Sequence, residues 1–229
     1  MPEEETQAPF RKAALRSGLA IVLIALCLPL WAADAPPADA IAVAHRVDAY
    51  YDSLRSLRAD FSESYQGMGI HREEHGTLLL RKPGKMRWDY AKPAGKVFIL
   101  DSKYGWFYSP GDSEAQRIAA SKMNDMRSPL RFLLGHTKIE KELDGLTVAR
   151  DGDAYRLSGI PKGMNQQVAN VTLGVTAQGV IQSMTITETS GALTAFTFTN
   201  SQPNAAAPES EFVFHPPAGI TVIDGVPPV

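Results

Sequence analysis

From Ala59 onward the chain is broken into strand-length segments bounded by Gly, Pro, Asp or Asn, and this rhythm constrains the fold more than any other feature. The segments are Phe61 to Tyr65, Thr77 to Leu80, Lys85 to Tyr90, Val97 to Leu100, Trp106 to Tyr108, Val168 to Val175, Val180 to Glu188, Leu193 to Thr199 and Glu211 to Phe214. Such a run predicts a mainly β, α+β fold built on a largely antiparallel sheet. Ahead of it, after Pro36-Pro37, Asp39 can cap one long helix. There Ile41, Ala44, Val47, Tyr51, Leu54 and Arg58 recur at helical spacing, and Arg46, Asp48 and Arg55 are left for the polar face. Ser128 to Gly135 reads as a short helix, with Ser128 as cap, Pro129 at its first position and Gly135 as its stop. No fixed-period repeat or long low-complexity linker divides the chain, so one domain is expected.

The strands carry a second layer of pattern. Period two puts Met86, Trp88 and Tyr90 on one face of their strand and Lys85, Arg87 and Asp89 on the other. It likewise pairs Met184 with Ile186, Phe196 with Phe198, and Phe212 with Phe214. A sheet with one apolar face must cover it, and 44% hydrophobic residues in a chain of 229 supply enough material. Whether that face is packed core or the lining of an apolar cavity for a lipid or acyl chain is left open by periodicity alone.

At the N-terminus, Arg11, Lys12 and Arg16 precede an apolar run from Leu19 to Leu30, followed by Trp31-Ala32-Ala33. This is the pattern of a secretory signal peptide, expected to span residues 1–33 and to leave 34–229 as the mature domain. The run is shorter than the ~20 apolar residues of a membrane-spanning helix. The single cysteine, Cys27, falls inside it after Leu26, so the mature chain is expected to have no thiol, disulfide or lipid anchor, which fits a bacterial periplasmic protein. A net charge of −2 gives no general basic surface, which argues against nucleic-acid binding, and the apolar content is too high for a disordered chain.

One catalytic string stands out. His71-Arg72-Glu73-Glu74-His75 matches H-x-x-E-H, in which two His on adjacent helical turns bind zinc and the Glu acts on water. Here Gly67, Gly69 and Gly76 flank the string, and on a strand the two His would stand ~13 Å apart, too far to share an ion. A polar hairpin tip is therefore expected in place of a metal site. No nucleophile elbow, phosphate loop or dinucleotide fingerprint is present, so neither an enzyme nor a cofactor is expected.

The stretch Leu79-Leu80-Arg81-Lys82-Pro83-Gly84-Lys85-Met86-Arg87-Trp88-Asp89-Tyr90 resembles the strand-turn-strand signature of the periplasmic lipoprotein carrier family, LolA. Further blocks fall in that family's order: Leu57 to Phe61, Asp101 to Tyr108, Ser128 to Leu134 and Phe212 to Val222. The resemblance covers essentially the whole mature chain. It implies an unclosed antiparallel β-barrel with a helical lid over an apolar cavity. The cavity would accept the acyl chains of lipoproteins released by an inner-membrane ABC transporter and deliver them to an outer-membrane receptor, the carrier acting as a monomer. A related lipid-binding or lipoprotein-sensing module is the alternative.

By the same resemblance Phe61, Met86, Trp88 and Tyr90, with Met184, Ile186, Phe196 and Phe198, are candidate cavity lining. Leu130, Phe132, Leu133 and Leu134 become lid residues. Where the family has an Arg before the turn Pro that helps hold the lid, this chain has Lys82, with Arg81 facing the other way. The latch is therefore assigned to Lys82 or to Arg87.

Overall fold

The computed structural model describes residues 39–125 and 138–225. Helix α1 (Ala40–Ser53) starts where the Asp39 carboxylate accepts the Ile41 N–H at 3.0 Å, and stops as Leu54 turns extended. The chain then climbs through β1 (Ser56–Gly67), β2 (Ile70–Arg81), β3 (Lys85–Lys92), β4 (Val97–Asp101), β5 (Tyr104–Tyr108) and β6 (Glu114–Ala119). Helices α2 (Ala120–Asp125) and α3 (Ile139–Glu142) follow, then β7 (Leu143–Asp151), β8 (Ala154–Pro161), β9 (Val168–Val175), β10 (Ile181–Glu188), β11 (Leu193–Pro203) and β12 (Thr221–Asp224).

Among the described residues twelve strands form one sheet in the order β12-β6-β5-β4-β3-β2-β1-β11-β10-β9-β8-β7. Neighbours are antiparallel except β12, which runs parallel to β6. The first six strands are laid down outward from β1. The chain then restarts at the opposite edge with β7 and works back until β11 pairs with the free side of β1. Among the described residues β7 and β12 each pair on one side only, so the sheet is unclosed.

One face of the sheet and the inner side of α1 share the main core. Val43, Ala44, Val47 and Tyr51 of the helix pack with Phe61, Leu78, Leu80, Met86, Trp88, Leu157, Leu173, Met184, Phe196 and Phe198. The β9–β10 turn fixes the helix from below, because Gly179 has φ +88° and a Cβ there would lie 2.3 Å from the Arg46 carbonyl oxygen. Only a residue without a side chain permits that approach.

Three expectations are corrected. Asp48, assigned to the polar face of α1, is buried, because the start of α3 covers it. Glu211 to Phe214 is not a strand: a 3-10 turn, Glu209–Phe212, precedes extended chain. The sheet's second face is also covered between β2 and β4, where Leu79, Ile99 and Phe212 form a separate cluster with Trp106 and Phe214 against it. The consecutive burial of Leu78, Leu79 and Leu80 carries that signal in the sequence, since a strand buried on alternate residues has one covered face and a strand buried throughout has two.

Candidate functional site: an aromatic interior beneath a fastened helix

The interior face of the sheet is built by register. Trp88 sits opposite Leu78, Met86 opposite Leu80, Phe61 opposite Phe198, and Met184 opposite Phe196, so period two sends all of them to the same side. The rings interlock edge to face. Phe61 lies 4.6 Å from Trp88 and 5.0 Å from Tyr90, and Trp88 lies 5.6 Å from Phe196 and 6.3 Å from Phe198. Such pairs contribute roughly 0.5–1.5 kcal/mol each beyond burial. Phe61 reaches Tyr90 across Gly76, where any Cβ would lie 1.9 Å from the Asp89 carbonyl oxygen. The glycine therefore permits both the close approach of β2 to β3 and the ring contact above it.

The eight residues named as candidate cavity lining all fall in this one packed cluster. Phe61, Met86, Trp88, Met184, Phe196 and Phe198 are buried, while Tyr90 and Ile186 pack half-buried at the margin. Leu130, Phe132, Leu133 and Leu134 lie outside the described residues.

Lys82 and Arg87 part company. The Lys82 ammonium donates to the Tyr51 carbonyl in the last turn of α1, where a cation complements the helix dipole, and burial lowers its pKa. Arg87 stands on the opposite face: its guanidinium donates to both carboxylate oxygens of Asp89 and to the Glu211 carbonyl, at 2.6–2.8 Å. The sheet separates it from the Trp88 side, and it cannot hold anything laid over that side.

The helix is fastened at further points that sequence reading missed. The Ile139 N–H donates to Asp48 Oδ1 at 3.1 Å, the Lys138 ammonium pairs with Asp52, and the Ile181 N–H donates to the Tyr51 hydroxyl at 3.4 Å. Burial is the main cause holding the Asp48 carboxyl above its ordinary range, with the Ile139 hydrogen bond opposing it.

A polar margin borders the aromatic cluster. Tyr90 donates to Glu63 Oε2 at 3.3 Å, and Glu74, buried on the neighbouring strand, pairs with Lys96 and with Arg72 at 3.1 Å. The Lys96 ammonium lies 4.2 Å from the centre of the Tyr90 ring. Burial, then the nearby Glu74, raises the Glu63 pKa; burial, then Glu63, raises that of Tyr90. Glu63 shares the period-two face of Phe61, which is the sequence signal that could have found it.

The H-x-x-E-H string lies in β2 and is extended, as expected. His71 contacts Glu73 at 3.3 Å while Glu74 turns inward to Arg72 and Lys96, so the string's carboxylate and imidazole are engaged apart. Among the described residues no three His, Cys, Asp or Glu gather where an ion could sit.

The profile of the family described as "Outer membrane lipoprotein carrier protein LolA" matches residues 52–215. The chain belongs to the LolA family. An outer-membrane lipoprotein carrier protein of Chromobacterium violaceum is 31% identical over 191 residues, 83% of this chain and 91% of that protein. A protein of the same description from Nitrosospira multiformis is 29% identical over 178 residues, covering 76% and 84% of the two chains. Among solved structures, a LolA superfamily protein from Nitrosomonas europaea aligns over 77% of this chain and 98% of its own at 10% identity, with a TM-score of 0.44. In this LolA family member the profile match spans every one of the expected lining residues, from Phe61 to Phe198.

Proposed function

We propose that this protein is a periplasmic carrier that takes up the acyl chains of lipoproteins in its aromatic interior and gives them up to an apolar acceptor. The observation that carries the reading is the continuous apolar face from β3 to β8, roofed by a helix held through a few polar contacts, in a chain of the LolA family. The physical need is large. At ~0.8 kcal/mol per buried methylene, acyl chains leave a membrane only for a comparably apolar shelter. An inner-membrane lipoprotein-releasing ABC transporter is the proposed donor and an outer-membrane lipoprotein receptor the proposed acceptor. Residues 1–33 serve as a cleaved export signal, and residues 34–229 act as a monomer without covalent chemistry of their own.

In this reading the interior is filled by its own rings when empty, and cargo displaces them as α1 lifts. Lys82 and Asp48, which grip the helix at its end and middle, set the cost of that opening. The test is to add purified residues 34–229 to spheroplasts retaining acylated lipoproteins. Intact lipoprotein appearing in solution as a stoichiometric complex supports the carrier. Lipoprotein left wholly in the membrane, with free lipid bound instead, supports the lipid-binding alternative.

A further inference from the structure

Trp88 sits at the centre of the ring cluster, 2% exposed, and its indole Nε1–H has no hydrogen-bond acceptor among the described residues. Its neighbours are the rings of Phe61, Phe196 and Phe198, none of which offers a lone pair. The other indole of the domain is treated differently: Trp106 Nε1–H donates to Asp101 Oδ2 at 2.8 Å. Buried donors are almost always paired, so an orphan in the middle of a candidate binding interior is a donor whose acceptor arrives from outside. A cavity meant only for hydrocarbon would be served as well by phenylalanine, which fills similar space without a polar atom to desolvate.

We infer that Trp88 is a ligand-binding residue whose indole N–H donates to the ester carbonyl at the head of a glyceryl-linked acyl chain. This deepens the carrier reading above and rests on it. An acyl ester is a nearly hydrocarbon ligand with one strong acceptor at a fixed place, so a single donor inside an apolar interior both recognises it and fixes its depth. The position is consistent with where polar groups lie. Phe61 bridges Trp88 to Tyr90, and Tyr90 in turn reaches Glu63, so the ligand's head end faces the polar margin.

The experiment uses residues 34–229 with isotope-labelled tryptophan, which contain two indoles, Trp88 and Trp106, because Trp31 precedes Asp34. The probes are a diacylglyceryl-cysteine lipopeptide with ester-linked palmitoyl chains and its ether-linked analogue, which keeps the hydrocarbon and lacks the carbonyls. The ester binds roughly tenfold tighter than the ether and shifts the Trp88 indole proton downfield, while the ether does not. Trp88→Phe erases the preference, and the comparison within the wild-type protein stands even where that variant folds poorly. Equal binding of the two probes, or an indole resonance that responds identically to both, overturns the assignment and leaves the carrier reading in place. Failure of the wild-type protein to bind either probe overturns the carrier reading itself, and the Trp88 assignment with it.

Discussion

Asp48 shows how one side chain can tie a covering helix to the chain beneath it at a cost. Its Oδ1 accepts the Ile139 N–H while Oδ2 has no partner among the described residues, with His45, Asp52 and Lys138 as the titratable groups nearby. Burial raises its pKa from 3.8, so the folded protein holds this proton more tightly than the unfolded chain does. Stability from this group is therefore greatest in acid, falls as pH rises through the window above 3.8, and stays lower at neutral pH. Asp48→Asn keeps an oxygen for Ile139 and removes the titration. Its urea midpoint should gain on that of the wild type between about pH 4 and about pH 7. A gap that does not change with pH would show that this carboxyl is not desolvated in the folded protein.

At the scale of elements, α1 is placed by a handful of specific contacts laid over an apolar face. Lys82→Met keeps the side chain's bulk and removes the donor to Tyr51, which should cost about 1 kcal/mol and speed amide exchange in the last turn of α1. Exchange rates equal to those of the wild type would mean that the helix end is held by packing alone. Gly179→Ala meets both a positive φ and the Arg46 carbonyl, so it should destabilise the fold by about 2 kcal/mol or more in denaturant. A midpoint within error of the wild type would disprove the close approach.

The elements also show what was readable in advance. The Asp39 cap of α1 and the spans of β3 and β9 follow from period and turn residues, but the helical spacing that continues through Leu54 to Arg58 is not realised: α1 ends at Ser53 and Arg58 lies in β1. β6 and β7 did not, because Glu114–Ala119 and Leu143–Asp151 bury only a few side chains and carry little alternation. Glu211 to Phe214 has strand-like alternation, yet its phenylalanines are anchored by tertiary contact with Leu79, Ile99 and Trp106, and no ladder forms. The shared face of Phe61, Met86, Trp88, Met184, Phe196 and Phe198 was legible because period two is a local rule. The grip on α1 was not, since Asp48 and Ile139, or Lys82 and Tyr51, meet only once the chain has folded.

For the molecule as a whole, the sheet presents two apolar faces with different covers. The C-terminal segment is tied over one face by Arg81, Lys85 and Arg87 through Glu209 and the Glu211 carbonyl, while α1 is fastened over the other. In the carrier proposed above, cargo enters the α1 face alone. The most direct test places a photo-crosslinking benzoylphenylalanine at Phe198, on the α1 face, or at Phe214, on the other, and irradiates each protein after incubation with spheroplasts carrying acylated lipoprotein. Cross-linked lipoprotein from position Phe198 and none from Phe214 is the predicted result. Adducts from Phe214 with none from Phe198 would contradict the assignment of the aromatic interior as the cargo site.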